Sequence, residues 1–97
     1  MTLLRDEATP ASFDAGLQQI CFTLIDGSVR LLGYVSVTSL IAVAKCDRPG
    51  AAFPPPLVLF EQYRDRIEKA AVAEFEAGRA KTINVRDAIP FVWVRSF

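Results

Sequence analysis

The stretch Leu57 to Gly78, LVLFEQYRDRIEKAAVAEFEAG, narrows the possible folds most, because it reads as one long amphipathic helix with a cation inside its apolar stripe. At about 100° per residue, Phe60, Arg64, Ile67, Ala71 and Phe75 fall within roughly an 80° arc. Such a stripe has to lie against another layer, so the Arg64 guanidinium points towards the core side and requires a partner. Glu61 and Glu68 lie within reach of it on the helix surface. Two roles are open to this group. In the structural one, the arginine stem packs on Phe60 and Ile67 while its head bonds to Glu61, to Glu68 or to backbone carbonyls. In the functional one, the guanidinium captures an anion, either a phosphate or a partner's carboxylate, with Tyr63 and Tyr34 lining a shallow site around it.

The residues around this helix supply the layer it needs. Residues 1–16, with Pro10, Ser12, Asp14 and Gly16, read as an irregular lead-in, and 17–97 as a single domain. Gln18 to Ile25 and Val29 to Val35 are rich in β-formers and flank Asp26-Gly27-Ser28, which predicts a β-hairpin. In its first strand Ile20, Phe22 and Leu24 share one face and Cys21, Thr23 and Ile25 the other, so both faces are apolar. Ser36 has the chemistry of an N-cap ahead of a short helix, Val37 to Lys45, whose Val37, Leu40, Ile41 and Ala44 keep helical spacing, although a third strand is compatible with the same residues. CDRPGAAFPPP predicts a stiff connector with Phe53 tucked against the body, and Pro55 or Pro56 opens the long helix. Gly78 closes it in the αL conformation. Ala80 to Arg86 alternates as a half-buried strand, and Phe91 to Val94 forms a last one. The expected fold is α+β: a small antiparallel sheet of three or four strands packed against one long and one short helix.

Several function classes are disfavoured by what the chain holds. Lys plus Arg equals Asp plus Glu, 11 of each, so no electrostatic footprint for nucleic acid or anionic lipid stands out. A basic groove assembled from Arg64, Arg66, Lys69, Arg79, Lys81 and Arg86 would be interleaved with Glu61, Asp65, Glu68, Glu74 and Glu76. The simpler reading is a solvated face laced with pairs such as Asp65 to Lys69. There is no histidine, which removes the commonest general base and nitrogen metal ligand, and no glycine-rich nucleotide motif; no cofactor is expected. Cys21 and Cys46 lack metal spacing and read as free thiols. No apolar run reaches the 18 or so residues of a membrane span, so a soluble, cytoplasmic protein is expected.

The order and spacing of several short patterns then point to a family. Phe13-Asp14 precedes Ile20-Cys21-Phe22, a hairpin turns at Asp26-Gly27, and a short helix follows Val35-Ser36-Val37. Leu59-Phe60, Arg64, Ile67, Ala70-Ala71 and Gly78 come next, with Ile83-Asn84-Val85 and Asp87 beyond. Together they resemble the small bacterial proteins of the domain of unknown function 1488 (DUF1488) family, over roughly Ser12 to Ile89. The most specific part is the phenylalanine, arginine and isoleucine of the long helix. The resemblance implies a compact α+β fold and brings no established activity, cofactor or catalytic residue; some members carry the loose label of transcriptional regulator. The prolines before the long helix and the segment from Phe91 to Phe97 look like additions to the pattern.

That last segment has a consequence of its own. The apolar share of 52% excludes glycine and still exceeds the usual range, more than one small core hides. Phe91, Trp93 and Phe97, with Val92 and Val94, put apolar groups on both faces of one strand, and only one face can meet this core. The expectation is a homodimer that buries this segment, with Trp93 as anchor and Phe91, Phe97 and Tyr34 in the contact surface. The functional expectation is a non-catalytic interaction or regulatory module that self-associates and meets a protein partner. The alternative is a nucleic-acid-associated regulator using Arg66, Lys69, Arg79 and Lys81.

Overall fold

A computed structural model describes residues 3–82 and 89–97. Along the chain come β1 (Leu4–Arg5), β2 (Ser12–Asp14), β3 (Gln19–Asp26), β4 (Val29–Ser36), α1 (Val37–Asp47), α2 (Pro56–Glu76), β5 (Lys81–Thr82) and β6 (Pro90–Val94). The strands form one sheet in the order β1-β3-β4-β6-β5, with β2 also on β3.

Local chemistry explains the element ends. Asp26 pairs with Val29, so the β3–β4 loop has two residues, and Gly27 at φ 59° precedes a serine that is not in the positive-φ region. Those φ signs belong to a type II′ turn, whose twist suits a hairpin. The Ser36 hydroxyl accepts from the Ser39 N–H at 3.0 Å and caps α1 as expected. Pro56 occupies the first turn of α2, where its missing donor costs nothing. At the other end Gly78, at φ 77°, lets the chain leave, and its N–H donates to the Phe75 carbonyl.

The two helices pack on one face of the sheet. Ile20, Phe22 and Leu24 of β3, Leu31 and Val35 of β4, and Val92 and Val94 of β6 meet Leu40 and Ala44 of α1 and Leu59, Phe60, Tyr63, Ile67 and Ala71 of α2 in a single core. The buried stripe of α2 therefore runs from Leu59 and Tyr63 through Ala71, while Phe75 at its far margin is half-buried. Gly33 sits in this face opposite Phe22, and a Cβ built on it would fall 2.2 Å from the Phe22 ring. The glycine is thus a shallow seat for Phe22, which also lies 5.5 Å from the Phe60 ring.

Three expectations need correction. The sheet has six strands among the described residues rather than three or four, because Leu4–Arg5 and Ser12–Asp14, inside the segment read as irregular, each pair antiparallel with β3. Strands of two and three residues are too short for alternation to register. The sheet is also not wholly antiparallel: β4 and β6 run parallel, Leu32 beside Phe91 through Val35 beside Val94, after a crossover through both helices. Finally, Phe53 is not tucked in. It stays 38% exposed and lines a shallow groove with Leu59 and Tyr63, because the prolines that follow hold the connector extended over the surface. Of the predicted strand from Ala80 to Arg86, Lys81–Thr82 form β5 and residues 83–88 lie outside the described residues.

The seat at Gly33 gives a stability test. Gly33→Ala is expected to destabilise by about 1–3 kcal/mol, the range for overpacking a filled core. Pairing it with Phe22→Leu should recover part of that loss, read from urea denaturation midpoints; a Gly33→Ala chain as stable as the parent would show that Phe22 does not rest there.

Candidate functional site

Two surfaces collect the residues the sequence singles out, and the sheet separates them. The first is the charged cluster between α2 and β1. Arg64 is 8% exposed and lies 5.4 Å above the Phe60 ring. Its Nη1 donates to Glu61 Oε1 at 2.7 Å and its Nε to Glu68 Oε2 at 3.1 Å. Arg64, Glu61 and Glu68 are thus brought together. A fourth member, which sequence reasoning missed, is Arg5. From β1 its Nε donates to Glu68 Oε2 at 3.0 Å and its Nη2 to Glu68 Oε1 at 2.9 Å and to Asp65 Oδ1 at 3.0 Å. The hydrogen bond to Glu68 raises the Arg5 pKa, reinforced by the nearby carboxylates. Asp65 therefore pairs with Arg5, where the sequence suggested Lys69. No helical spacing could have signalled Arg5, since it arrives through the fold.

The second surface is the sheet face that the helices leave open. Strand alternation turns Cys21, Leu32, Tyr34, Phe91 and Trp93 onto it, on registered neighbours of β3, β4 and β6. The Tyr34 ring stacks at a tilt on Trp93 with centroids 5.3 Å apart and meets Phe91 edge-on at 5.9 Å. Trp93 remains 42% exposed. Burial raises the pKa of both Cys21 and Tyr34, and their mutual hydrogen bond raises Tyr34 further while drawing Cys21 back. One end of this face is closed by the turn after β1: Asp6, 5% exposed, accepts from Ala8 N–H and the Thr9 hydroxyl, lies 3.6 Å from Arg30, and donates its own N–H to the Thr23 carbonyl.

Phe97 is not part of the open face. It packs on Tyr63 at 6.1 Å on the helix side, where Arg66 Nη2 donates to its carbonyl at 2.9 Å. The strand ends at Val94, so the alternation that turns Phe91 and Trp93 outwards does not extend to Phe97. Tyr63 and Tyr34 likewise sit on opposite sides of the sheet and do not line one site with Arg64. Burial raises the Tyr63 pKa, and its hydrogen bond to Asp47 raises it further. The basic residues are dispersed and largely engaged: Arg66 with Asp47 and the Tyr63 ring, Arg79 with Glu74, while Lys69 and Lys81 are exposed and Arg86 lies outside the described residues. Among the described residues no three or more His, Cys, Asp or Glu side chains gather as metal ligands, and no helix is long and apolar enough to cross a membrane.

Two measurements follow. Glu68→Ala, which leaves the buried Arg64 with only the half-exposed Glu61, is expected to cost about 2–3 kcal/mol in chemical denaturation, against under about 1 kcal/mol for Glu61→Ala; equal costs would show that Glu68 is not the pivot. In thiol alkylation near pH 8, exposed Cys46 should react about tenfold faster than half-buried Cys21, whose thiol is held protonated. Comparable rates would show that Cys21 is open to solvent.

No family model and no curated protein matches the sequence. Among solved structures, the chain is similar to the crystal structure of a protein of unknown function from the DUF1488 family of Shewanella loihica PV-4, with a TM-score of 0.68 and 23% identity. That likeness covers 99% of this chain and 97% of the other, so the connector and the Phe91 to Phe97 segment, which looked like additions, fall almost wholly within it. The chain has the fold of a DUF1488 protein.

Proposed function

We propose that the chain is a cytoplasmic member of the DUF1488 family and a non-catalytic interaction module that self-associates through the open face of its sheet. The observation that carries this reading is the aromatic cluster of Tyr34, Phe91 and Trp93 on the face that neither helix covers, with Trp93 42% exposed. An apolar patch containing a tryptophan at its margin is typical of protein contact surfaces, where Trp and Tyr supply much of the binding energy. A second copy is a suitable occupant, because the middle of the face, with Leu32, Tyr34, Phe91 and Trp93, is apolar while Asp14, Arg30 and Lys81 stand at its margins, and such a patch is compatible with itself under a two-fold axis.

Chemistry has little support by comparison. The carboxylates nearest a cation, Glu61, Glu68 and Glu74, are engaged with arginines of the same chain. The nucleic-acid alternative loses Arg66 and Arg79 to internal pairs, and the uncommitted cations form no stripe on α2. Likeness to a DUF1488 structure supports the family assignment, and the motif pattern around Arg64 agrees with it.

Sedimentation equilibrium at micromolar concentration tests the reading. A dimer is expected, and Trp93→Ala should weaken it by about 2 kcal/mol, roughly thirtyfold in dissociation constant. A monomer throughout that range, unaltered by Trp93→Ala, would refute self-association by this face.

A further inference from the structure

The edge of β6 offers a second contact surface with a different chemistry. On the side away from β4, β6 is paired by β5 only at Pro90 and Phe91, and no strand among the described residues lies beyond Val92–Val94. Alternate residues of a strand turn N–H and C=O to opposite sides, so part of this backbone faces outwards without a ladder partner. Beside it runs a groove of about 500 Å³ between β6 and the carboxy-terminal end of α2, with Phe91 and Trp93 in its wall. Around the groove stand three cations, Arg79, Lys81 and Arg95, against one carboxylate, Glu74. Arg79 Nη2 donates to Glu74 Oε1 at 3.0 Å, and this hydrogen bond, with the charges of Arg79 and Arg95, holds the carboxyl below its ordinary range. Lys81 and Arg95 make no ion pair of their own among the described residues. The groove therefore carries an excess of positive charge next to an open strand edge.

Charge and geometry together select the occupant. A second copy approaching edge to edge would set its own Arg79, Lys81 and Arg95 against these, a like-charge encounter that disfavours it. A nucleic-acid strand would match the charge but has no amide groups to continue the ladder. We infer that this edge takes up an acidic, extended peptide segment of another protein, which adds to the sheet beside β6 and pairs its carboxylates with Lys81 and Arg95. The inference rests on reading the chain as an interaction module, but not on its self-association.

The test uses the whole chain and a blocked octapeptide of alternating glutamate and valine. Emission from Trp93, the single tryptophan, reports binding, and amide exchange at Val92–Val94 reports strand addition. A saturable emission change with new protection at those amides is expected. Lys81→Glu/Arg95→Glu should raise the dissociation constant about tenfold, and added salt should weaken binding as the rim charges are screened. Cys21→Arg, on the open face but on β3, with β4 between it and this edge, should dissociate the dimer by setting like charges together yet leave the peptide affinity from amide exchange unchanged, so the two readings fail separately. The inference is overturned by no saturable response, by an equal response to the lysine and valine peptide, by undiminished affinity in the folded charge-reversed chain, or by uptake of a thymidine oligonucleotide instead.

Discussion

A single carboxylate, that of Glu68, accepts hydrogen bonds from two guanidiniums that belong to different layers, and the arrangement of helix on sheet depends on it. Laying the apolar stripe of α2 on the sheet withdraws Arg64 from water, and an uncompensated cation there would cost more than its neighbours gain. Glu68, one turn along the same helix, neutralises it. Arg5 then reaches across from β1 to the same carboxylate and converts an intrahelical pair into a tie between layers. The relative magnitudes assign the roles. Burial of Phe60, Ile67, Phe22 and Leu24 contributes about 1.5–3 kcal/mol for each large side chain, whereas ion pairs at partly exposed positions net far less. The apolar contacts hold the layers together; the charges decide how α2 is set against β1.

The same economy explains why one side of the sheet is left over. Two helices are enough to cover the face formed by Ile20, Phe22, Leu24, Leu31, Val35, Val92 and Val94, with Gly33 leaving room for the tip of the Phe22 ring. The opposite row has no helix to cover it, and the turn of Asp6 to Thr9 shields only the end near Thr23. What remains is a surface whose aromatic residues touch one another and solvent at once. Its edge at β6 has a different character, because the basic residues after α2 and β6 gather there while the two arginines of α2 itself are paired off. Face and edge thus carry an apolar and a cationic surface on adjoining parts of one strand.

Much of this was legible because it is local. The stripe of α2, the Ser36 cap, the Gly27 turn and the Gly78 stop each depend on residues within a few positions of one another, and each lies where the sequence puts it. Arg64 with Glu61 and Glu68 was legible for the same reason. Arg5 was not, because its partners lie some 60 positions away and nothing near it in sequence marks it as a ligand for them. The parallel β4–β6 pairing escaped notice because alternation tells which face a residue takes and says nothing about its neighbour's direction. Phe97 shows the limit of parity itself: it shares the odd numbering of Phe91 and Trp93, yet the strand stops short of it and the ring turns to Tyr63.

The parallel pairing also dictates an order of assembly. The β3–β4 hairpin closes across two residues, whereas Leu32 and Phe91 come into register only after the whole helical crossover has been gathered in. Joining chain positions about 60 residues apart carries a closure entropy that local contacts do not offset in advance, so docking of β6 follows packing of the helices. Until then the edge of β4 is bare and the row containing Tyr34 lacks its aromatic neighbours. The self-association proposed for that row would thus require a chain that has already completed its sheet, and would tie recognition between copies to the final stage of folding.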